Sequence, residues 1–333
     1  MRSLHGSNPG NPSGKNNASN EYLPRVSIII PTHNRVTSLL ECLQSVIQTD
    51  YPKLEIIIVN ARSDDGTSTM VKASFPELRL IEADDVGYGE ANNVGVSQAT
   101  GDLIASIEDD YRFHRGWLRP IVDLFLKSPD VGVAGGKVYF GDGTQLLAAG
   151  GSVDWLRGNT PPLPARKNND AAVVDVDYVP LPVVRRTVYD TVGLWDPRYF
   201  VLFDETDFCI RAKRAGFRVV LVPNSISVHK VNREHYLKHP SKRLYFYFRN
   251  RIRFIIKLFP VPYLFSALLF TVGSCVYLNL IFLYSRNTGA AKATSRALAW
   301  NAVWLRDTID CRKKTRSKLD AVKRRRGILS GKV

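Results

Sequence analysis

With 333 residues, 44% of them hydrophobic, the chain can build one large core of about 200–250 residues with a smaller unit beside it, which excludes a wholly disordered polypeptide. Its four cysteines, Cys42, Cys209, Cys275 and Cys311, lie far apart and form no CxxC pair, which speaks against a zinc site or a disulfide framework. The formal charge of +15 suits nucleic acid or anionic lipid, but the basic clusters at 230–257 and 312–326 flank the uncharged, most apolar stretch at 258–284. An anionic membrane surface is therefore the expected partner, and nucleic acid is not.

Residues 1–21 are rich in Gly, Asn, Ser and Pro and read as a disordered leader. They lack the apolar core of a secretory signal, so the domain after them is expected at the cytoplasmic face of the membrane. A buried strand at 26–30 precedes apolar residues at Val36, Leu39, Leu40, Leu43, Val46 and Ile47, a helical spacing with one buried face. A second strand is expected at 55–59, a polar loop at 60–66, and further strands at 78–81 and 103–107 around a helix at 89–98. This alternation implies an α/β fold, a mostly parallel sheet flanked by helices, with ligands beyond the carboxyl ends of the strands.

Past residue 240 the chain becomes basic and helical. Residues 263–284 are long enough to span a bilayer, but Pro260 and Pro262 break their start and basic residues flank both sides. Residues 258–284 are thus expected to attach peripherally, as a re-entrant segment or as a single span. The stretch 290–309 reads as a second, interfacial helix.

Polar residues at strand ends carry the chemistry. The strand at 103–107 runs into Glu108, Asp109 and Asp110, whose joint burial would cost several kcal/mol by rough estimate without a cation, and hard oxygen ligands suit Mn2+ or Mg2+. An acidic triplet alone fits a solvated turn equally well. Asp204-Glu205-Thr206-Asp207 opens a helix, where acids complement the dipole in any protein, or supplies a general base. His229 follows a strand-like run and would matter only if the fold brought it to the acidic triplet.

Taken in order, VSIIIPTHNR (26–35), EIIIVN (55–60), SDDGT (63–67), GYGEANNVG (87–95), EDD (108–110) and DETDFCIR (204–211) resemble glycosyltransferase family 2 over about residues 22–232. The resemblance implies a GT-A type fold at 22–235, followed by a membrane-associated helical region at 236–333. It also implies inverting transfer from a nucleotide-sugar donor to a glycan or polyprenyl-linked acceptor, as in rhamnosyltransferase-like members. By the same resemblance Pro31, Thr32, Asn34, Asn60, Ser63, Gly89, Asn92, Asn93 and Asp109 hold the donor. Asp109 and Asp110 match the DXD-type pair, with Asp110 and His229 on the metal, and Glu205 or Asp204 is the base, Glu205 preferred.

The sequence departs from the family pattern in three places: Asn60 stands where Asp is usual, Glu108 replaces the first Asp of the triplet, and the acids of the base motif are exchanged. UDP-, dTDP- and GDP-linked donors all stay open. Two alternatives remain. A polyprenyl-phosphate sugar synthase would need a cationic pocket, for which Arg249, Arg251 and Arg253 are candidates, and a non-catalytic nucleotide-sugar or glycan binding module would have no use for a base.

Overall fold

The computed structural model describes residues 22–163, 172–231 and 240–327. The leader expected at 1–21 and the end of the expected catalytic domain at 232–235 lie outside the described residues. Strand β1 (Val26–Thr32) is buried from end to end, as its VSIIIPT sequence demands of a strand covered on both faces. It pairs in parallel with β2 (Leu54–Ala61) and β4 (Leu103–Ser106), and β2 carries β3 (Arg79–Ala83) at the sheet edge. The crossovers are α1 (Val36–Ile47), α2 (Thr67–Ser74) and α3 (Tyr88–Gln98). In α1, Leu39, Cys42, Leu43 and Val46 are buried at i, i+3, i+4 and i+7. Its first turn is capped from outside: Val36 N–H donates to Asp65 Oδ2 at 2.9 Å, lacing the loop after β1 to the loop after β2.

Beyond β4 the sheet is mixed rather than parallel. The elements are β5 (Tyr111–Phe113), α4 (Arg119–Lys127), β6 (Val131–Phe140), β7 (Leu146–Ala148), β8 (Val174–Asp175), β9 (Val183–Arg185), α5 (Arg186–Val192), α6 (Asp204–Arg214) and β10 (Arg218–His229). The main order is β3-β2-β1-β4-β9-β6-β10-β5. Short β9 slots antiparallel between β4 and β6, and Arg185 pins it by donating Nε to Val131 O at 2.8 Å. One apolar core, with α1 and α4, fills one face of the sheet; a second, with α3, α5 and α6, fills the other. Strand β10 slips register against β6 between Leu221 and Ile226, around Pro223, which has no N–H for the ladder. After the slip, His229 lies opposite both Phe140 and Tyr111.

Four helices follow among the described residues: α7 (Pro240–Leu258), α8 (Val261–Tyr284), α9 (Thr288–Val303) and α10 (Leu305–Arg325). Pro262 sits in the first turn of α8, where a missing N–H costs nothing, so it starts the helix. α8 is the one helix among the described residues long and apolar enough to cross a membrane, with a hydropathy of 1.9 and only 17% of its apolar window buried. The interfacial helix expected at 290–309 is instead two helices joined at Trp304. The first buries Ala290, Ala291, Ala293, Thr294, Ala297 and Asn301, small residues that let it lie close against α7 and α8.

Ion pairs bind these helices to the α/β unit. Lys257 of α7 reaches Asp196 Oδ2 at 2.8 Å and Asp207 Oδ1 of α6 at 2.7 Å. Arg253 reaches Asp196 Oδ2 at 3.0 Å and Asp307 Oδ2 of α10 at 2.9 Å. Burial alone would raise the Asp196 carboxyl, but Lys257 and Arg253 hold it well below the usual carboxylate range. Removing a cation from such a set strands buried carboxylates. Lys257→Met is therefore expected to destabilise the protein by about 3–5 kcal/mol, read by denaturant unfolding, and Lys257→Arg by much less.

Candidate active site

The carboxyl end of β4 delivers Glu108, Asp109 and Asp110 beside the end of β1. Thr32 Oγ1 donates to Asp109 Oδ2 at 2.7 Å. Arg35, at the foot of α1, bridges the pair with Nη1 to Asp109 Oδ1 at 3.1 Å and Nη2 to Asp110 Oδ2 at 2.8 Å. From the far side of the sheet, His229 Nε2 approaches Asp110 Oδ2 at 3.1 Å, its ring stacked on Tyr111 at 4.4 Å. The β10 slip thus sets His229 on the acidic triplet. Burial would raise the Asp110 carboxyl, yet its contacts with His229 and Arg35 bring it below the usual value. Burial drives Asp109 up to about 6 against the pull of Arg35, and burial with the charges of Asp110 and Asp204 drives Glu108 up to about 8.

A cleft of about 730 Å³ opens over these residues. Pro31, Thr32, His33, Arg35, Ala61 and Asp85 line one side; Phe200, Val201, Leu202, Lys242, Arg243 and Phe246 line another; Glu108, Asp109, Asp204 and Glu205 lie between. Tyr88 also lines it, and its buried hydroxyl has no hydrogen-bond partner among the described residues. Burial lifts Asp204 to about 6, and burial with the charges of Asp204 and Glu108 lifts Glu205 well above its ordinary range.

The segment that presents Glu205 is strained and clamped. Phe200, Leu202 and Phe203 have φ of 65°, 65° and 68°, a left-handed backbone that costs on the order of 1–3 kcal/mol per non-glycine residue. Helix α7 holds it through main-chain carbonyls: Asn250 Nδ2 donates to Tyr199 O at 2.9 Å, Val201 O at 2.5 Å and Leu202 O at 2.8 Å. Arg249 Nη2 donates to Arg198 O and Tyr199 O, both at 2.6 Å.

The family model for glycosyl transferase family 2 matches residues 27–193. The chain belongs to glycosyltransferase family 2. Glycosyltransferase AglE of Haloferax volcanii is 28% identical over 213 residues, which make up 62% of this chain and 67% of that protein. The probable glycosyltransferase YdaM of Bacillus subtilis is 25% identical over 62% of this chain and 50% of its own length. The O-antigen biosynthesis protein RfbC of Myxococcus xanthus is 26% identical over 62% of this chain, yet only 17% of its own length is spanned. Among solved structures, the mannosyltransferase PcManGT from Pyrobaculum calidifontis, in complex with GDP-Man and Mn2+, aligns with a TM-score of 0.54 at 19% identity. It covers 91% of this chain and 87% of that one. GalNAc-T7 with UDP, GalNAc and Mn2+ aligns with a TM-score of 0.56 at 17% identity, covering 71% and 48%. These likenesses show the GT-A fold.

Within this family-2 fold the residues singled out from sequence fall into three groups. Pro31, Thr32, Asp109, Asp204 and Glu205 line the cleft, while Asp110 and His229 lie behind Arg35. The others hold the loops that frame it. Asn34 N–H donates to Ser63 Oγ at 2.8 Å, and Asp64 N–H donates to Asn34 Oδ1 at 2.8 Å. Asn60 spends its amide on Ser68 Oγ and Glu82 Oε2, at 2.7 and 2.9 Å, and its Oδ1 accepts from Ser63 N–H at 3.2 Å. Gly89 packs below Trp195 and Asp196, Asn92 Nδ2 donates to Tyr88 O at 3.0 Å, and Asn93 staples α3 to the Trp195 main chain at 3.0 and 3.1 Å.

Arg249, Arg251 and Arg253, the candidates for the cationic pocket of a polyprenyl-phosphate sugar synthase, do not form one. Arg251 donates to Gly158 O at 2.8 Å and Arg157 O at 2.7 Å, and all three guanidinium groups are buried in internal bonds. Their charges answer nearby carbonyls and carboxylates instead. The sequence motifs assign no role to Arg35, although it closes the first of them, nor to Asn250, which no local pattern distinguishes.

Asn250→Ala is expected to lower kcat by about tenfold or more while leaving nucleotide affinity within about twofold, because a small misplacement of Glu205, the base expected from sequence, would cost turnover rather than donor binding. Steady-state kinetics and nucleotide titration check this. Glu108→Gln should raise the melting temperature by several degrees at pH 8 and hardly at all at pH 4. Above its unfolded pKa the native state of Glu108 holds the extra proton, so its burial weakens the fold progressively as pH rises towards about 8.

Proposed function

We propose that the chain is an inverting glycosyltransferase that moves a sugar from a nucleotide-sugar donor to a glycan or lipid-linked acceptor in polysaccharide or glycolipid assembly. What carries this reading is the meeting of Glu205 with Asp109 and Thr32 in one cleft, a proton acceptor facing an acidic strand end. Thr32, Arg35 and Asp109 hold the donor, its nucleoside lying toward Pro31, Ala61 and Asp85. Glu205 takes the proton of the acceptor hydroxyl. The oxygen then forms its bond to the anomeric carbon from the face opposite the leaving group, and the electron pair of the broken C–O bond leaves on the diphosphate.

A divalent cation fits Asp110 and His229. Asp110 Oδ1 is buried without a partner among the described residues, and a hard cation held by one carboxylate can complete its shell with phosphate oxygens and water. No group of three or more His, Cys, Asp or Glu among the described residues forms a self-sufficient metal cage. When bound, Mn2+ or Mg2+ supplies Lewis-acid stabilisation of the departing diphosphate. The Mn2+ complexes with GDP-Man and with UDP among the structural neighbours support both the metal and a UDP- or GDP-linked donor, and a dTDP-linked donor stays in the panel. In this reading the chain works at the cytoplasmic face of a membrane, attached through α8, with the catalytic unit at 22–235 and the membrane-associated helices at 236–333.

Thermal-shift binding with UDP-, dTDP- and GDP-sugars, with and without Mn2+, tests the reading. One nucleotide class is expected to stabilise the protein in a Mn2+-dependent way, Asp110→Ala to abolish that effect, and Glu205→Gln to keep it while losing at least about 100-fold in turnover. No stabilisation by any nucleotide would sink the proposal. Since Glu205 is raised well above the ordinary range, its proton-accepting form grows with pH where an ordinary glutamate is already ionised. Turnover should therefore climb with pH above that range in the wild type and stay flat in Glu205→Gln.

A further inference from the structure

Tyr88 opens α3, and it faces the cleft together with Ala91, one turn on. The residue before it is pressed against the segment that carries Glu205. A Cβ on Gly87 would lie 2.5 Å from Phe200 Cδ2, so any side chain there would displace the ring. The backbone of this turn is bonded: Ala91 N–H donates to Gly87 O at 3.0 Å, and Asn92 Nδ2 donates to Tyr88 O at 3.0 Å. The phenol at its head is not.

The Tyr88 hydroxyl is buried and bonded to nothing among the described residues. Asn92 Oδ1, four positions on, is in the same state, so the two side chains do not satisfy each other. A buried hydroxyl without a bond weakens a fold, and one that opens on a cleft is a group kept for a ligand. Burial, with the charges of Glu108, Glu205 and Asp204, raises it well above the ordinary tyrosine range, so it stays protonated and able to donate. The motif at 87–95 assigns donor contacts to Gly89, Asn92 and Asn93 and none to Tyr88.

The acids that act on this hydroxyl also say what it can hold. A position among Glu108, Asp204 and Glu205 favours a neutral group over an anion, whereas the Arg35 guanidinium, set against Asp109 and Asp110, suits the diphosphate. In the transferase reading, the neutral part of the donor between the diphosphate and Glu205 is the sugar. We infer that the Tyr88 hydroxyl bonds a ring hydroxyl of the transferred sugar and thereby selects which sugar the donor carries. A site built to bond a substrate hydroxyl rejects the analogue that lacks it, because its own polar group is then left unpaired. The inference rests on the transferase reading and adds to it a residue that determines donor-sugar specificity.

The test is calorimetric titration of the full chain in Mn2+, wild type against Tyr88→Phe. The ligands are UDP, dTDP and GDP, each beside a sugar-linked form: UDP-glucose and UDP-N-acetylglucosamine, dTDP-glucose, and GDP-mannose. In the nucleotide class that binds, Tyr88→Phe should weaken the sugar-linked form by about tenfold and leave the bare diphosphate within about twofold. Among monodeoxy analogues of the bound sugar, one for each ring hydroxyl, a single member should bind both proteins equally, since the bond is already missing. Without ligand, Tyr88→Phe should melt at or above the wild-type temperature, because the ring stays and the unbonded hydroxyl goes.

Unchanged affinity for every sugar-linked form overturns the inference. So does an equal loss for the bare diphosphate, which would assign Tyr88 to the nucleotide. A melting temperature lowered by several degrees would make the hydroxyl part of the fold's own bonding, and a loss that persists in every monodeoxy analogue would mean that no ring hydroxyl is read; either result sinks the idea. Absence of binding by any nucleotide in wild type strikes the transferase reading itself.

Discussion

Glu108, Asp109, Asp110, Asp204 and Glu205 converge at one end of the sheet, where the Arg35 guanidinium and the His229 ring are placed against them. Carboxylates in that number repel, and burial adds to the cost, which is why Glu108, Asp109, Asp204 and Glu205 all hold their protons above the ordinary range. The rest of the molecule can be understood as what keeps them together. Parallel strands β1 and β4 deliver the triplet from below. The slip in β10 aims His229 at it from the side, and α7 grips the segment that carries Glu205 from above.

The grip makes the C-terminal helices part of the site. Asn250 and Arg249 hold carbonyls of a backbone that would otherwise relax out of its left-handed turns, and Lys257 holds Asp207, two residues beyond Glu205. The same α7 begins at the cleft mouth and lies along α8. One helix thus connects the open apolar surface, the acceptor side of the cleft and the proposed base.

Much of this arrangement is legible in the sequence. The helix beginning at Val36 follows directly from apolar spacing, and the buried first strand and the acidic strand end follow from β-branched runs and from charge. The antiparallel β5, β7, β8 and β9 are not legible, because segments of two or three residues carry no periodicity and owe their pairing to neighbours far along the chain. The same holds within the site. Asp109 and Glu205 stand in motifs, whereas Asn250 acts through the carbonyls of Tyr199 to Leu202, about fifty positions away, and nothing local marks it. Arg249, Arg251 and Arg253 show the converse: their alternate spacing suggests an anion pocket, but only the packed structure reveals that each is already occupied.

That occupancy changes what the basic composition means. Arg185, Arg186, Arg211, Arg214, Arg249, Arg251, Arg312 and Arg326 all donate to main-chain carbonyls. Part of the basic complement therefore holds the framework together rather than standing free to attract anions. For evolution or engineering, exchanging these arginines for lysines would preserve every charge and still dismantle the framework, because an ammonium cannot reproduce a planar fork of fixed N–H groups.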